Sequence, residues 1–275
     1  MMEKKIHQIW FQGVDKIPNK YRKYQKSVIN TNPSWKYNLY SEKNLLDYAK
    51  RYSNTCYKKM INYQYMHQKI DLGRYLISYF EGGITVDMDV ECIKPYDELF
   101  IKYPNILDYE VILSTLNNDI YKGLFAKLYL SIHGIKPDEF INNSFIFTPN
   151  PLSIIIKNLI DKIIKNKDCN YYDSSITCIN KTTGPQTFTK YMNMNKNNIL
   201  VIPIEFVSLD EDENKNKDIF TIHHIQHTWI HPIINLIFKI YILHNNLYLI
   251  DTLLILFSLL IMYNIIFYII NKTKT

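Results

Sequence analysis

The chain has 275 residues, of which 47% are hydrophobic and 21% are charged, and it contains 7 Gly and 10 Pro. This balance excludes an intrinsically disordered or collagen-like chain, and the length fits one globular domain with an appendage. Four cysteines are too few for a disulfide scaffold and lack zinc-site spacing, so we expect reduced thiols. The net charge of +6 and the pI near 8.8 are modestly basic. Because Lys and Arg are scattered along the chain, an anionic small ligand or a membrane surface is favoured over nucleic acid.

Strand-like and helix-like patterns alternate along the chain, which predicts an α/β fold. The N-terminus has no apolar run of signal-peptide length, so we expect no secretion signal. His7 and Tyr75 are expected in the core. In chain order, the predicted elements are a strand at residues 6–11, helices at 44–52 and 61–80, a strand at 110–114 and a helix at 152–164. Predicted loops are residues 18–19, 30–33 and 210–218.

Residues 69–91 (KIDLGRYLISYFEGGITVDMDVE) begin as an amphipathic helix, with apolar side chains at helical spacing. Asp71 and Arg74 are three residues apart and therefore lie on one side of this helix. Gly82 and Gly83 follow and predict its end.

The next residues, 84–91, alternate between apolar and polar side chains. In an extended strand this pattern buries the apolar set and directs Asp87 and Asp89 to the opposite face. Two carboxylates on one face suit Mg²⁺ or Mn²⁺, which takes oxygen ligands and substrate phosphates. The alternative is a chance Asp-x-Asp, with Asp71 and Arg74 forming an exposed ion pair that contributes about 0.3 kcal/mol.

The C-terminal part of the sequence differs from the rest in hydropathy. Residues 252–270 (TLLILFSLLIMYNIIFYII) carry no charge, and their length approaches the roughly 20 residues of a membrane span, so we predict a transmembrane helix. A buried core helix is the alternative. The shorter run at 232–243 predicts an interfacial or re-entrant segment. The expected organisation is a globular domain at 1–229, the interfacial segment at 230–246, and a membrane anchor with a short tail at 247–275.

Several motifs occur in a fixed order between residues 5 and 229. They are IHQIWF at 6–11, NPSWKYNLY at 32–40, DLGRYLI at 71–77, GGITVDMDVE at 82–91, TGP at 183–185 and HHIQHTW at 223–229. In this order the chain resembles the DXD sugar transferases of glycosyltransferase family 32. That family includes fungal α-mannosyltransferases and inositol phosphoceramide mannosyltransferases, and the glucosylating clostridial toxins are similar more distantly.

The resemblance implies a GT-A fold, in which a Rossmann-like nucleotide half is joined to an acceptor half. It implies that Asp89 binds the metal and that Asp87 contacts the metal and faces the ribose or donor sugar. Asp71 and Arg74 resemble the pair that holds the donor hexose, and a guanidinium also suits the diphosphate because its donors can bind two oxygens at once. Asp87, Asp89 and Arg74 are therefore the candidate catalytic residues.

The same resemblance implies further donor-binding and metal-binding residues. Trp10 resembles the position beside the nucleobase, and a core position is its alternative. Asn143 resembles a polar sugar contact, with helix capping as its alternative, and Gly184 resembles a loop that lets the backbone approach the donor sugar or acceptor. His223 resembles a late histidine at the metal or diphosphate, and Trp229 the tryptophan of a closing loop. A structural or solvated role is the alternative for His223.

Together these features predict a metal-dependent, membrane-anchored glycosyltransferase that uses Mn²⁺ or Mg²⁺. It would move a hexose from a nucleoside diphosphate sugar, GDP-mannose first and UDP-hexose next, to a hydroxyl of a glycan or glycolipid. The family implies retention of configuration. Ile70 and Gly73 depart from the family pattern and leave the donor sugar open. The alternative is a catalytically silent, membrane-anchored protein of the same fold that binds glycans or a partner.

An intracellular membrane of the ER or Golgi type is the expected location. The lack of a signal peptide favours a cytosolic domain, whereas Lys272 and Lys274 beyond the predicted span favour a lumenal one. The two signals conflict, so the sequence leaves the orientation open.

Overall fold

The computed structural model of the chain describes residues 2–115, 135–136, 139–169, 175–202, 207–208, 219–224 and 257. The chain divides into two compact units, Met1–Trp229 and Ile230–Thr275, and all described strands lie in the first. The predicted loop at 210–218, Trp229 and the predicted interfacial and transmembrane segments lie outside the described residues, residue 257 apart, and remain predictions. Among the described residues, no helix is both long enough and apolar enough to cross a membrane.

Strands and helices alternate along the chain, which confirms the predicted α/β class. The predicted strands at 6–11 and 110–114 and the predicted helices at 44–52 and 152–164 are present, with ends shifted by one or two residues. The described strands are β1 (Lys5–Ile9), β2 (Lys36–Tyr40), β3 (Gly83–Val86), β4 (Val90–Cys92), β5 (Val111–Thr115), β6 (Ile141–Thr148), β7 (Ile199–Ile202), β8 (Val207–Ser208) and β9 (Thr221–His223). The described α-helices are α1 (Asn19–Thr31), α2 (Glu42–Tyr52), α3 (Asn54–Asn62), α4 (Met66–Glu81), α5 (Glu98–Lys102), α6 (Ile154–Lys165), α7 (Ser175–Thr182) and α8 (Pro185–Met194).

The described strands form two sheets. The larger has the order β2-β1-β3-β6-β5-β7, and the smaller has the order β4-β9-β8. β1 runs parallel to β2 and β3, and β5 runs parallel to β7, whereas β6 is antiparallel to β3 and β5. β3 and β4 are consecutive in the chain but belong to different sheets. The turn between them therefore connects the two sheets.

Each face of the larger sheet packs against its own apolar cluster. Leu72 of α4 belongs to the cluster that contains side chains of α2, α3, α6 and α8, and Trp35 belongs to the other. β5 contributes to both, since Val111 and Leu113 pack in the first cluster and Ile112 packs in the second. This alternation is the period of two that a strand buried on both faces requires.

The single helix predicted at residues 61–80 is wrong, because α3 and α4 are separated by an extended break. Tyr65 has extended backbone, and its N–H donates to Gln68 Oε1 at 3.1 Å. Ile61, an apolar residue at the start of the predicted helix, is 43% exposed. The apolar spacing seemed continuous in the sequence because two short helices follow each other almost directly.

Three glycines lie where a larger side chain has little room or an unfavourable backbone conformation. A Cβ on Gly73 would lie 2.6 Å from Leu45 Cδ1, so the glycine lets α2 and α4 approach closely. Gly82 ends α4 with a φ of 63°, and Gly83 follows with a φ of 75°, a region that side chains disfavour. The predicted end of the helix at these glycines is confirmed.

Two of the four cysteines are paired. Cys169 and Cys178 form a disulfide with their Cα atoms 5.2 Å apart, so the expectation of reduced thiols is wrong for this pair. Cys56 and Cys92 are free and buried. Pairing depends on the distance and direction between two Cβ atoms, and the fold sets both.

Candidate functional site

The Asp-Met-Asp segment is a turn between β3 and β4. Val90 N–H donates to Asp87 O at 3.2 Å, and Asp87 N–H donates to Ser144 O at 3.0 Å. The continuous strand predicted over residues 84–91 is therefore wrong. Its apolar side chains are buried as the alternation predicted, but β3 pairs with β6 while β4 pairs with β9. The chain has to turn between these two partners.

This turn brings both carboxylates next to a histidine from the other end of the described chain. One ligand atom from each of Asp87, Asp89 and His223 lies within 4.8 Å of the other two, and we call these residues the Asp-Asp-His cluster. His223 Nε2 is 3.3 Å from Asp89 Oδ1. The antiparallel pairing of β4 with β9 places Val90 opposite His223, which fixes the histidine beside the turn.

The charges of the cluster also change the protonation of its histidine. Burial alone would lower the pKa of His223, but the negative charges of Asp89 and Asp87 outweigh it, and the pKa is raised. Asn142 Nδ2 lies 3.3 Å from His223 Nδ1 and holds the other ring nitrogen. The ring is thus oriented on both sides.

The chemistry of these donors fits a divalent cation. Carboxylate oxygens are the ligands that Mg²⁺ and Mn²⁺ prefer, and a neutral imidazole is acceptable to Mn²⁺. A second contact on the far ring nitrogen, here from Asn142 to His223, is typical of metal-binding histidines. The predicted metal roles remain predictions that this geometry supports.

Arg74 connects the cluster to α4. Its guanidinium donates to Asp87 Oδ1 and to the backbone carbonyl of Asn143, and its Nη1 lies 4.0 Å from Asp71 Oδ1. Arg74 and Asp71 are 5% and 7% exposed, so the alternative of an exposed surface pair is wrong. The buried guanidinium therefore places a positive charge at the edge of the Asp-Asp-His cluster.

Asp71 is held from two directions. Its Oδ1 accepts from Asn143 Nδ2 at 3.1 Å, and its Oδ2 accepts from Thr183 Oγ1 at 3.2 Å. Burial raises the pKa of Asp71 to about 6, although the charge of Arg74 opposes this. Tyr75, which is fully buried as predicted, donates to Thr183 O at 2.9 Å and accepts from Asn143 at 3.1 Å. Tyr75 therefore also supports the site.

The polar residues of β6 are not helix caps. Asn142 and Asn143 lie inside this strand, so the capping alternative is wrong. Both are buried, as is Asn180 in α7. The sequences Asn142-Asn143-Ser144 and Asn180-Lys181-Thr182 have the pattern of N-glycosylation sites, but burial makes both asparagines inaccessible in the folded chain.

Gly184 follows Thr183 at the junction of α7 and α8. A Cβ at this position would lie 3.1 Å from Ile179 O and from Ile179 Cγ2. Close packing of the junction therefore accounts for a glycine here, and the predicted approach to the donor remains a prediction.

Trp10 lies directly after β1 and is half-buried. Its ring centroid is 4.9 Å from that of Tyr21, which is in turn 6.5 Å from the ring of Tyr24 in α1. The indole Nε1 is buried and has no hydrogen-bond partner among the described residues. The predicted position beside a nucleobase stays a prediction.

Sequence reasoning missed three residues that border the site. Gln8 is buried in β1 and donates to Asp87 O at 3.0 Å, and no sequence signal marks it. His67 lies one turn before Asp71 on α4, so helical periodicity could have found it. Burial lowers the pKa of His67 to about 4, with the charge of Arg74 acting in the same direction. His224, the second residue of the HHIQHTW motif, contacts Glu91.

Comparison with known proteins agrees with this geometry. Residues 18–106 match the family described as "Glycosyltransferase sugar-binding region containing DXD motif". Over these residues the chain is similar to the DXD-containing glycosyltransferases. The resemblance predicted from the motifs is thereby confirmed. The matched region contains Asp71, Arg74, Asp87 and Asp89, whereas His223 lies beyond it.

The curated relatives carry glycosyltransferase names. An "uncharacterized glycosyltransferase" of Acanthamoeba polyphaga mimivirus is 28% identical over 137 residues, which cover 46% of this chain and 55% of that protein. "Inositol phosphoceramide mannosyltransferase 3" of Schizosaccharomyces pombe is 33% identical over 36% of this chain and 27% of that protein. "Initiation-specific alpha-1,6-mannosyltransferase" of Candida albicans is 30% identical over 38% of this chain and 29% of that protein. The matches thus span about half or less of these relatives.

A solved structure shares the fold. Mouse xyloside xylosyltransferase 1 in its apo form superposes with a TM-score of 0.50 at 12% identity, covering 83% of this chain and 100% of that one. At this identity the similarity concerns the fold alone. The predicted GT-A-like α/β glycosyltransferase fold is confirmed.

Proposed function

We propose that this chain is a metal-dependent glycosyltransferase that moves a hexose from a nucleoside diphosphate sugar to an acceptor hydroxyl of a glycan or glycolipid, with retention of configuration. One observation carries the proposal. Asp87, Asp89 and His223 converge beside the buried guanidinium of Arg74, within a chain whose residues 18–106 match a DXD sugar-binding region. A cation site and a fixed positive charge, side by side, suit a diphosphate leaving group.

Mannose is the first candidate for the transferred sugar, and glucose or galactose comes next. The names of the Schizosaccharomyces pombe and Candida albicans relatives support mannose. GDP-mannose is accordingly the first donor to test, and a UDP-hexose is the second. The indole Nε1 of Trp10 has no hydrogen-bond partner within the part of the chain that the structure describes. This supports a nucleotide neighbour, since a buried N–H normally has an acceptor.

The residues divide the work between charge and position. Asp87, Asp89 and His223 would hold Mn²⁺ or Mg²⁺, which when bound neutralises the negative charge of the diphosphate. Arg74 supplies a second positive charge at a place set by Asp87 and the carbonyl of Asn143. Its fork of N–H donors suits phosphate oxygens.

Asp71 would orient the donor sugar by accepting hydrogen bonds from its hydroxyls. Asn143 and Thr183 hold its carboxylate in one orientation, so the acceptor atoms are in place before the sugar arrives. Fixing the donor in this way lowers the entropic part of the barrier.

We further propose that the chain is attached to an intracellular membrane of the ER or Golgi type through its C-terminal segment. The uncharged run at 252–270 supports the attachment. The Cys169–Cys178 disulfide supports a domain on the lumenal side, because disulfides persist in oxidising compartments. Protease protection of sealed microsomes tests the orientation, and cleavage of the domain without detergent would contradict a lumenal location.

The function is tested by a screen of nucleotide sugars for Mn²⁺-dependent release of the nucleoside diphosphate. Wild-type protein should hydrolyse one donor, chelator should abolish the reaction, and Asp89→Asn should remove most of it because an amide is a weak ligand for a hard cation. Asp47→Asn, the same change at an exposed position of α2, should keep full activity. Wild-type protein that is folded yet inactive on every donor would instead support the catalytically silent binding protein.

A further inference from the structure

His224 links three elements at the edge of the Asp-Asp-His cluster. Its backbone N–H donates to Asp89 O at 2.9 Å. Its imidazole Nε2 is 2.9 Å from Glu91 Oε2 in β4. Its ring stacks on Tyr24 of α1, with centroids 4.3 Å apart and planes at 15°. The side chain is 11% exposed, so these contacts are largely shielded from water.

The position of His224 directly after β9 explains why these contacts matter. β4 and β9 are paired at three positions, the last of which sets Val90 opposite His223. Beyond that pair, the hydrogen bond from His224 N–H to Asp89 O extends the contact between the two chain segments by one residue, up to the cluster. The ends of so short a ladder open easily unless side chains hold them. The His224 side chain makes two such contacts, one to the neighbouring strand and one to α1.

We propose that His224 is a positioning residue for the Asp-Asp-His cluster, and this inference rests on the metal site of the proposed function. Held between Glu91 and Tyr24, His224 keeps His223 Nε2 beside the carboxylate of Asp89. Contacts that orient metal ligands typically change metal affinity by about 10- to 100-fold. A purely structural role would lower thermal stability and leave metal affinity in the folded protein unchanged.

The test measures Mn²⁺ binding by calorimetry without donor sugar, together with the His223 ring signals by NMR in metal-free protein. His224→Ala should bind Mn²⁺ at least about 10-fold more weakly and should shift the His223 signals, in protein that circular dichroism shows to be folded. His224→Gln keeps a polar group that reaches Glu91 and should restore part of the affinity.

A matched pair of carboxylate variants separates this effect from a general loss of stability. Glu91→Gln weakens the partner of His224, whereas Glu81→Gln makes the same change at a carboxylate that binds Tyr48 at 2.8 Å. The two side chains have similar exposure, 20% and 25%. Glu91→Gln should weaken Mn²⁺ binding, and Glu81→Gln should bind it like the wild type.

The outcomes distinguish this inference from the proposed function. Wild-type protein that binds no Mn²⁺ would contradict the metal site, and the His223 ring signals alone would then decide whether His224 positions that residue. Unchanged Mn²⁺ affinity and unchanged His223 signals in folded His224→Ala would overturn the positioning role. If His224→Ala does not fold, His224→Gln and Glu91→Gln decide it, and equal losses in Glu91→Gln and Glu81→Gln would overturn it as well.

Discussion

Arg74 acquires its main partner only through the fold. Its spacing from Asp71 predicts an ion pair within one helix, because residues three apart on a helix are neighbours. In the structure the guanidinium donates to Asp87 and to the carbonyl of Asn143, while Asp71 lies 4.0 Å away. The helix alone cannot show this, since Asp87 follows a reversal of the chain at Gly82 and Gly83.

Substituting Arg74 with lysine should therefore be far from conservative. A single ammonium cannot reach Asp87 and the carbonyl of Asn143 and still offer a planar fork to the diphosphate. We expect Arg74→Lys to bind the donor at least about 10-fold more weakly by calorimetry, equivalent to about 1.4 kcal/mol. Arg22→Lys, whose guanidinium binds the backbone carbonyls of Val14 and Ile17, is the control. Wild-type affinity in Arg74→Lys would contradict the donor role.

At the scale of elements, two that the sequence failed to predict, α1 and β6, have a polarity that does not match their burial. α1 (NKYRKYQKSVINT) is largely polar, and only Tyr24 and Val28 are buried, so its periodicity is weak. β6 is buried along its whole length although it contains Asn142, Asn143 and Ser144. Buried polar side chains in a strand are stable only when the fold supplies partners, and the sequence does not display those partners.

The disulfide stabilises an element next to the site. Cys169 is tied to Cys178 in α7, and α7 ends at Thr182, whose hydroxyl accepts from Gln68 Nε2 in α4 at 2.8 Å. Thr183, the next residue, donates to Asp71. Loss of the disulfide should therefore loosen both α7 and the support of Asp71.

We expect the Cys169→Ser, Cys178→Ser double variant to lose about 2 to 3 kcal/mol of unfolding free energy, as a closed loop of this length predicts, and to bind donor more weakly. Thermal denaturation with and without dithiothreitol checks this. Reductant should lower the melting temperature of the wild type and leave that of the double variant unchanged. Equal melting temperatures for both proteins without reductant would contradict the prediction.

At the scale of the whole molecule, buried titratable groups make stability depend on pH in two opposing ways. Burial lowers the pKa of His7 and of His67 to about 4. The unfolded chain therefore binds more protons than the folded one between pH 4 and 6.5, and the two histidines destabilise the fold as the pH falls through that window. Asp71 has the opposite effect on stability. Its pKa is raised to about 6, so the folded chain binds its proton more readily than the unfolded chain, and the cost of burying its carboxylate falls as the pH falls.

His7→Asn should isolate one of these contributions. A histidine with a folded pKa of about 4 lowers the free energy of unfolding by about 2 kcal/mol between pH 7 and pH 5. Over this range the free energy of unfolding of His7→Asn should therefore fall by about 2 kcal/mol less than that of the wild type. Urea denaturation at both pH values measures the difference. Tyr40→Phe is the control, because it removes the hydroxyl 2.9 Å from His7 Nδ1 but leaves the histidine, the group that titrates in this range. An equal pH dependence in His7→Asn and wild type would contradict the assignment.

The sequence by itself determined the α/β class, the end of α4 at Gly82 and the similarity of residues 18–106 to the DXD-containing glycosyltransferases. These depend on local patterns, namely the spacing of apolar side chains, backbone freedom at glycine and the order of short motifs. Only the tertiary structure decided the Asp87–Asp89 turn, the pairing of Cys169 with Cys178 and the approach of His223 to the carboxylates. Each joins residues through the packing of separate elements, and the distance along the chain carries no information about such contacts.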